Sequence, residues 1–225
     1  MHNTNRFAAA LAVATAVAAL LAGLFFFFDP THALATGSDA YWHALAEGHW
    51  GRTAFVAAFA CTALFALGAV RPIVERVDVS RSAALHRIAC LAYLGYAVSA
   101  ISYLRLLGGE SRRAAAYVAG DASTQAAIAS FSLVLDPQGW LSFGAVGLFI
   151  ASVNVAALAS RAWPRGLALL GFGVALAYGC ALIGLVIGNA RWVALAAGVG
   201  AIGLGPLWWL GVAIVLWRSS PTAGR

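Results

Sequence analysis

Long apolar stretches alternate with short polar segments along the whole chain. A membrane-spanning helix needs about 20 mainly apolar residues. Six stretches approach or exceed that length: residues 7–28, 53–70, 88–107, 138–159, 167–188 and 192–217. Because backbone polar groups in lipid must find hydrogen-bond partners inside the segment, each stretch is predicted to be a helix. The pattern predicts an all-α polytopic integral membrane protein, a single domain over residues 1–225 built as a bundle of six transmembrane helices.

Two connecting segments are longer than simple turns. The first, residues 29–52, is predicted to contain a short interfacial helix at residues 40–46. An amphipathic helix at the interface buries its apolar face among the lipid headgroups. We therefore expect Tyr41, Trp42 and Leu45 to point toward lipid.

The second long segment, residues 108–136, is predicted to form a helix that lies on the membrane surface or re-enters the bilayer. At its end, Asp136 as N-cap and Pro137 at the first helical position are expected to start the fourth span, since both residue types favour these positions. The Gly- and Pro-containing run at residues 203–206 predicts a kink in the last span.

Composition narrows the class further. The chain is 62% hydrophobic and only 10% charged, with a mean hydropathy of +0.85. A soluble domain of this length cannot hide that apolar excess, and a disordered chain is far more polar. The net charge of +6 comes from arginines, but they form no basic stripe with interleaved aromatic residues, so nucleic acid is not an expected partner.

The arginines also predict the orientation of the bundle. With an even number of spans, both termini share a side. Placing them in the cytoplasm puts nine arginines on the inner side and five on the outer side. Since cytoplasmic loops carry an excess of Lys and Arg, the sequence predicts cytoplasmic termini. The inner set is Arg6, Arg71, Arg76, Arg81, Arg87, Arg161, Arg165, Arg218 and Arg225.

A polar and aromatic stripe runs along the third span. Tyr93, Tyr96 and Tyr103 recur at helical spacing, and Asn154 is a mid-membrane polar residue of the fourth span. Polar groups inside a membrane face the bundle interior or a cavity. Two interpretations remain open: a pocket for a ligand or lipid lined by these four residues, or ordinary hydrogen bonding between helices.

Two further sets of residues are candidates for specific roles. His43, Glu47 and His49 offer imidazole and carboxylate groups at the predicted outer face. They form a possible zinc or copper set, or simply the polar face of an interfacial helix. Small residues let helices approach closely, and the glycines proposed for packing, either within the chain or in a homo-oligomer, are Gly184, Gly188, Gly203 and Gly205.

Several classes of activity lack their signatures. Without any lysine, a retinal Schiff base is impossible. The sequence shows no histidine pair for haem, no hydrolase or nucleotide-binding motif, and no ionisable residue at mid-membrane of the kind that coupled transporters use. The cofactor content is otherwise unknown.

The layout resembles that of a known family. A Trp-Gly-Arg entry at residues 50–52, a basic loop after the second span, and a last span with Gly205-Pro206-Leu207-Trp208-Trp209-Leu210-Gly211 and Val215-Leu216-Trp217-Arg218 carry the resemblance. They are similar to a bacterial six-span membrane family catalogued only as a domain of unknown function. The resemblance implies the topology and assigns no activity. The all-arginine, alanine-rich usage indicates a bacterial protein of the inner membrane.

Three functions are compatible with the sequence. The first is a non-enzymatic inner-membrane protein, either an accessory subunit of a larger membrane complex or a binder of lipid or a small hydrophobic ligand. The second is a transporter or channel for a neutral or apolar solute, with a path along the tyrosine stripe. The third is an outer-face metal-dependent enzyme or metal sensor that binds its metal through His43, Glu47 and His49.

Overall fold

The computed structural model describes residues 2–78 and 82–218, so Arg81 and Arg225 of the orientation argument lie outside the described residues. Within the described ranges the chain is helical and has no strand. Six of the described helices are long and apolar enough to cross a membrane. The predicted all-α bundle of six spans is therefore confirmed.

The spans begin and end as follows. The first is α1 (His2–Phe26), the second α3 (Trp50–Val77), the third α4 (Ala83–Ala119) and the fifth α7 (Arg165–Val186). The fourth joins a π-helical segment, Trp140–Ala145, to α6 (Val146–Ser160). The sixth joins α8 (Ala190–Ala197), a second π-helical segment, Gly198–Leu204, and α9 (Gly205–Arg218). Two shorter helices, α2 (Asp39–Glu47) and α5 (Ala122–Ser130), lie between spans.

The third span is longer than its apolar stretch predicts. It continues as one helix of 37 residues to Ala119, whereas the sequence places a surface or re-entrant helix after residue 107. The added turns are supported by α2, which packs against them. Trp42 stacks on Tyr117 with ring centroids 4.9 Å apart. This contact corrects a prediction: Trp42 and Leu45 are buried against α4 and do not point toward lipid.

The start of the fourth span also differs from the prediction. Pro137 is not its first helical residue, because the helix begins at Trp140 after Gly139 in the left-handed conformation. Asp136 still caps this helix end, although it precedes the first helical residue by four positions in the sequence. Its carboxylate accepts hydrogen bonds from the backbone N–H groups of Trp140, Leu141 and Ser142 at 3.0, 2.8 and 2.7 Å, so the free N–H groups of the π-helical turn are satisfied.

The six spans form a ring in chain order, closed by the contact of α9 with α1. We call the end where α1 begins and α9 ends the terminal half, and the opposite end, which carries α2 and α5, the distal half. The terminal half is filled by a continuous apolar core to which every span contributes. Its largest fully buried side chains include Ile73, Val153, Trp208 and Leu216.

Candidate functional site

The distal half contains a partly open cavity of about 610 Å³. A volume of a few hundred cubic ångströms or more is that of a pocket for one small molecule. All six spans contribute to its wall, together with the segment that leads into the fourth span. Toward the terminal half, the cavity ends at the apolar core. Val146, Val174 and Trp209 belong to both the cavity wall and this core.

Aromatic rings make up much of the cavity wall. Tyr103 stacks on Phe59 with ring centroids 5.0 Å apart, and Phe143 meets Tyr178 edge to face at 5.7 Å. Rings of this kind supply large rigid apolar surfaces, and tyrosine adds a polar group at one end. The aromatic residues of the wall are Phe26, Phe55, Phe59, Tyr96, Tyr103, Phe143, Tyr178 and Trp209.

Three of these rings are tyrosines whose hydroxyl groups have no partner. In the described part of the chain, neither Tyr96, Tyr103 nor Tyr178 makes a hydrogen bond through its hydroxyl. Hydroxyl groups that line a cavity are therefore available to a bound molecule.

Both π-helical segments border the cavity. Ser142 and Phe143 come from the first, and Ala201 and Ile202 come from the second. A π-helical turn inserts an extra residue into a helix and is often found at functional sites. In the second segment Gly200 lies against Tyr178, where a Cβ would be 2.8 Å from the ring. The absence of a side chain at residue 200 therefore gives the Tyr178 ring its space beside the cavity.

An ion cluster joins three helical elements at the distal end of the cavity. Arg52, in the first turn of α3, donates two hydrogen bonds to Glu110 of α4 at 2.9 and 2.7 Å. A third donor reaches Asp29, just after α1, at 3.3 Å. Asp29 is 1% exposed and also accepts hydrogen bonds from the backbone and hydroxyl of Thr31. Paired, hydrogen-bonded charges of this kind hold the ends of the first three spans together.

The cluster places one paired charge, that of Arg52, in the cavity wall. Of the ion cluster, Arg52 lines the cavity and its guanidinium lies over the Phe55 ring at 5.7 Å. Nearby, burial raises the pKa of the Tyr41 phenol above its ordinary value, although the Arg52 charge opposes this effect. Tyr41 therefore remains neutral at physiological pH. The other charged lining residue is Asp136, whose carboxylate caps the fourth span.

The structure divides the four residues of the predicted pocket. Tyr96 and Tyr103 line the cavity. Tyr93 is 36% exposed on the outside of the bundle. Asn154 is fully buried in the terminal half, where its amide donates to the Ile150 carbonyl at 2.6 Å and accepts from the Trp208 indole at 3.3 Å. Asn154 therefore shows the hydrogen bonding between helices that was the other interpretation.

The three residues of the possible metal set are not assembled. His49 lies 3.4 Å from Glu47, and His43 is exposed on α2. Among the described residues, no group of three or more His, Cys, Asp and Glu side chains is placed to hold a metal ion.

The four glycines of the packing prediction take different roles inside the chain. Gly184 lets α7 approach α8, since a Cβ there would be 2.7 Å from Trp192. Gly188 has a φ of +69° and forms the turn between these helices. Gly205, the first residue of α9, lies against the Gly200 carbonyl of the adjoining π-helical segment. Gly203 is exposed and has no close neighbour.

Sequence reasoning missed Arg52 and Tyr178 as residues of the cavity. Arg52 counts in the sequence only toward membrane orientation, and Tyr178 stands alone in an apolar helix. A local pattern does not connect them to α4.

Comparison of the chain with protein-family models, with curated proteins and with solved structures finds no match. The cavity and its side chains are therefore the basis for a functional proposal.

Proposed function

We propose that the protein is a non-enzymatic membrane protein that binds a small hydrophobic ligand or lipid in the distal cavity. The observation that supports this proposal is an aromatic cavity of about 610 Å³ in one half of an otherwise packed bundle. Interiors are normally close-packed, and space of this size is uncommon without a function. A few polar groups among apolar walls are typical of ligand sites, where they orient the ligand.

The same geometry favours binding over passage of a solute. A transport path must also cross the terminal half, where Val153, Val212 and Leu216 are fully or almost fully buried. A carrier or channel for a neutral solute therefore requires a second arrangement of the helices. The role of accessory subunit needs partner subunits and stays a prediction.

Part of the proposal concerns the membrane. Six apolar spans fit a membrane protein in contact with lipid. The excess of arginines on the side of the termini supports an orientation with both termini in the cytoplasm of a bacterial inner membrane. In that orientation the cavity lies in the outer half of the bilayer.

The experiment compares two neighbouring alanines of α8. Ala197 lines the cavity and Ala196 does not, although both are half-buried. We expect a hydrophobic adduct on the purified wild type in native mass spectrometry. Ala197→Phe fills part of the cavity, and packing the ligand beside the new ring costs about 1–3 kcal/mol, so the affinity for the ligand falls roughly 5- to 150-fold and the adduct is reduced or lost. Ala196→Phe keeps the adduct.

A wild-type protein without any adduct contradicts the proposal, provided that the sample comes from its own membrane and is extracted gently. Equal loss of adduct in both alanine variants contradicts it as well, because the ligand then does not occupy the distal cavity. Unfolding curves of the two variants show whether both fold.

A further inference from the structure

We propose that the ligand is a single-chain amphiphile with an uncharged headgroup, which enters the distal cavity from the bilayer between α1 and α8. This inference rests on the proposed function and specifies the ligand class and the route into the same site. It follows from the length and polarity of the cavity, the state of its charges, and the way in which the ring of spans closes.

The cavity is elongated along the bundle, and its polarity changes from one end to the other. Along α3 the lining runs from Arg52 to Ala63, which corresponds to about 16 Å at 1.5 Å per residue. That is roughly half of the 30 Å hydrocarbon core, or one leaflet. The deep end is lined by Val174, Trp209 and the Tyr96 ring, whereas the distal end carries both charged lining residues, Arg52 and Asp136. An extended chain with one polar end matches this gradient, with its chain toward Trp209.

The charged groups of the wall already have hydrogen-bond partners. Arg52 is held by two carboxylates, and Asp136 accepts three backbone hydrogen bonds. An anionic headgroup would lose its water and meet an arginine that two carboxylates already hold, and a cationic headgroup would compete with the backbone N–H groups that donate to Asp136. Both situations are costly. Above the level of Tyr96, the hydroxyl groups of Tyr103 and Tyr178 are without partners in the described chain. They can donate to and accept from an uncharged hydroxyl or carbonyl group.

In the distal half the ring of spans is open between the first and the last span, because α1 and α8 make little direct contact. In the terminal half α1 packs along α9. The two spans cross at Gly23, where a Cβ would be 2.3 Å from Ile202. Beyond this crossing, α8 packs on α7 and on its own π-helical segment, and the extensive packing of α1 is with α3 and α9.

This gap faces lipid. On its two sides Phe26 of α1 and Ala194 of α8 line the cavity, and Ala194 is also exposed on the surface. The neighbouring surface is apolar, with Leu24 52% and Leu195 64% exposed. Trp192, 48% exposed, marks the membrane interface on this side. A bilayer amphiphile therefore meets the opening close to the depth of its own headgroup.

The first experiment uses the full-length protein in phosphatidylcholine nanodiscs, because common detergents are themselves single-chain amphiphiles. The probes are dodecanol, dodecylamine and dodecanoate, each brominated at the chain end, at a pH where the last two are ionised. Bromine quenches tryptophan fluorescence on contact. The difference in fluorescence between the wild type and Trp209→Phe is the emission of Trp209 in the cavity wall. The quenching that remains in Trp209→Phe measures the probe concentration in the bilayer.

We expect dodecanol to quench the Trp209 signal at about tenfold lower bilayer concentration than either charged probe. Dodecanol brominated beside its headgroup leaves the signal unchanged, because the headgroup lies at the distal end. Equal potency of the three probes, or preference for a charged one, overturns the ligand class. If the adduct of the wild type and its loss in Ala197→Phe persist in that case, the proposed function stands. No quenching and no adduct contradict both.

The second experiment tests the route. Ala194→Phe narrows the gap, and Leu195→Phe places the same ring on the lipid-facing side of the same helix. In stopped-flow mixing, we expect Ala194→Phe to slow the onset of Trp209 quenching about tenfold, with the rate of Leu195→Phe unchanged. Equal rates in all three proteins overturn the entry between α1 and α8.

Discussion

The terminal and distal halves of the bundle use the same six spans and differ in what those spans present to one another. In the terminal half α1 offers alanines to its neighbours, and at Ala8, Ala12 and Ala16 no more than 1% of the residue is exposed. In the distal half the same helix ends in a run of phenylalanines, of which Phe26 faces the cavity. Small residues allow close approach of helices and large rings hold them apart.

The comparison indicates that the residues that pack the fold and the residues that form the binding cavity lie in different halves of the bundle. The terminal half has the buried indole of Trp208 hydrogen-bonded to Asn154. The distal half has π-helical turns, unpartnered hydroxyl groups and an ion cluster that braces the cavity. Substitutions should therefore separate effects on stability from effects on binding, according to their depth in the bundle.

The largest effect is expected from Trp208→Ala. Trp208 is fully buried beside Trp163 and Trp209, and truncation of a buried Trp leaves a cavity that costs about 3–5 kcal/mol. The free energy of unfolding in mixed micelles measures this loss. Trp140→Ala, at a site 59% exposed in the distal half, is the control and should change it little. Equal losses would contradict the division into two halves.

Next in size is the loss of the ion cluster. Arg52→Met leaves Glu110 and Asp29 without their cation, and breaking a largely buried pair costs about 3 kcal/mol. The matched control is Arg71→Met on the same helix, where the Arg71–Glu75 pair is exposed and its removal should have no measurable effect. The double variant Arg52→Met/Glu110→Gln should recover part of the stability. Absence of any loss in Arg52→Met would show that the cluster does not brace the distal half.

A smaller effect is expected at two glycines of α7. A Cβ at Gly171 would be 2.1 Å from the Asn154 amide, whereas a Cβ at Gly179 meets nothing within 4 Å. Gly171→Ala should lower the free energy of unfolding by about 1–3 kcal/mol through overpacking. Gly179→Ala should raise it by up to about 1 kcal/mol, since alanine favours the helix. The same sign for both variants would contradict the described packing of α6 on α7.

The smallest effect on stability is expected from Tyr103→Phe. Because the hydroxyl of Tyr103 has no partner in the described chain, its removal should leave unfolding within about 0.5 kcal/mol. A ligand that hydrogen-bonds to this hydroxyl loses about 0.5–1.5 kcal/mol of binding free energy. Its dissociation constant therefore rises roughly two- to tenfold. Fluorescence titration of the brominated dodecanol measures it. Tyr117→Phe, which removes the bond to Asp39 outside the cavity, should leave binding unchanged.

The spans could be predicted from the sequence because length and apolar composition alone define a membrane helix. The polar continuation of α4 could not, because it depends on packing of Trp42 against Tyr117, which are far apart in the sequence. Helical spacing placed Tyr93, Tyr96 and Tyr103 on one face, but Tyr93 lies outside the cavity. Tyr178 joins Tyr96 and Tyr103 only through the arrangement of separate spans.

The length of α4 has a mechanical consequence. At 1.5 Å per residue its 37 residues extend about 55 Å, well beyond the 30 Å hydrocarbon core. One end of this continuous rod carries the α2 contact, and Tyr96, Ser99 and Tyr103 along its middle form part of the cavity wall. The surface contact with α2 and the cavity wall therefore belong to one helix, so a displacement of α2 would reach the interior of the bundle through a single element.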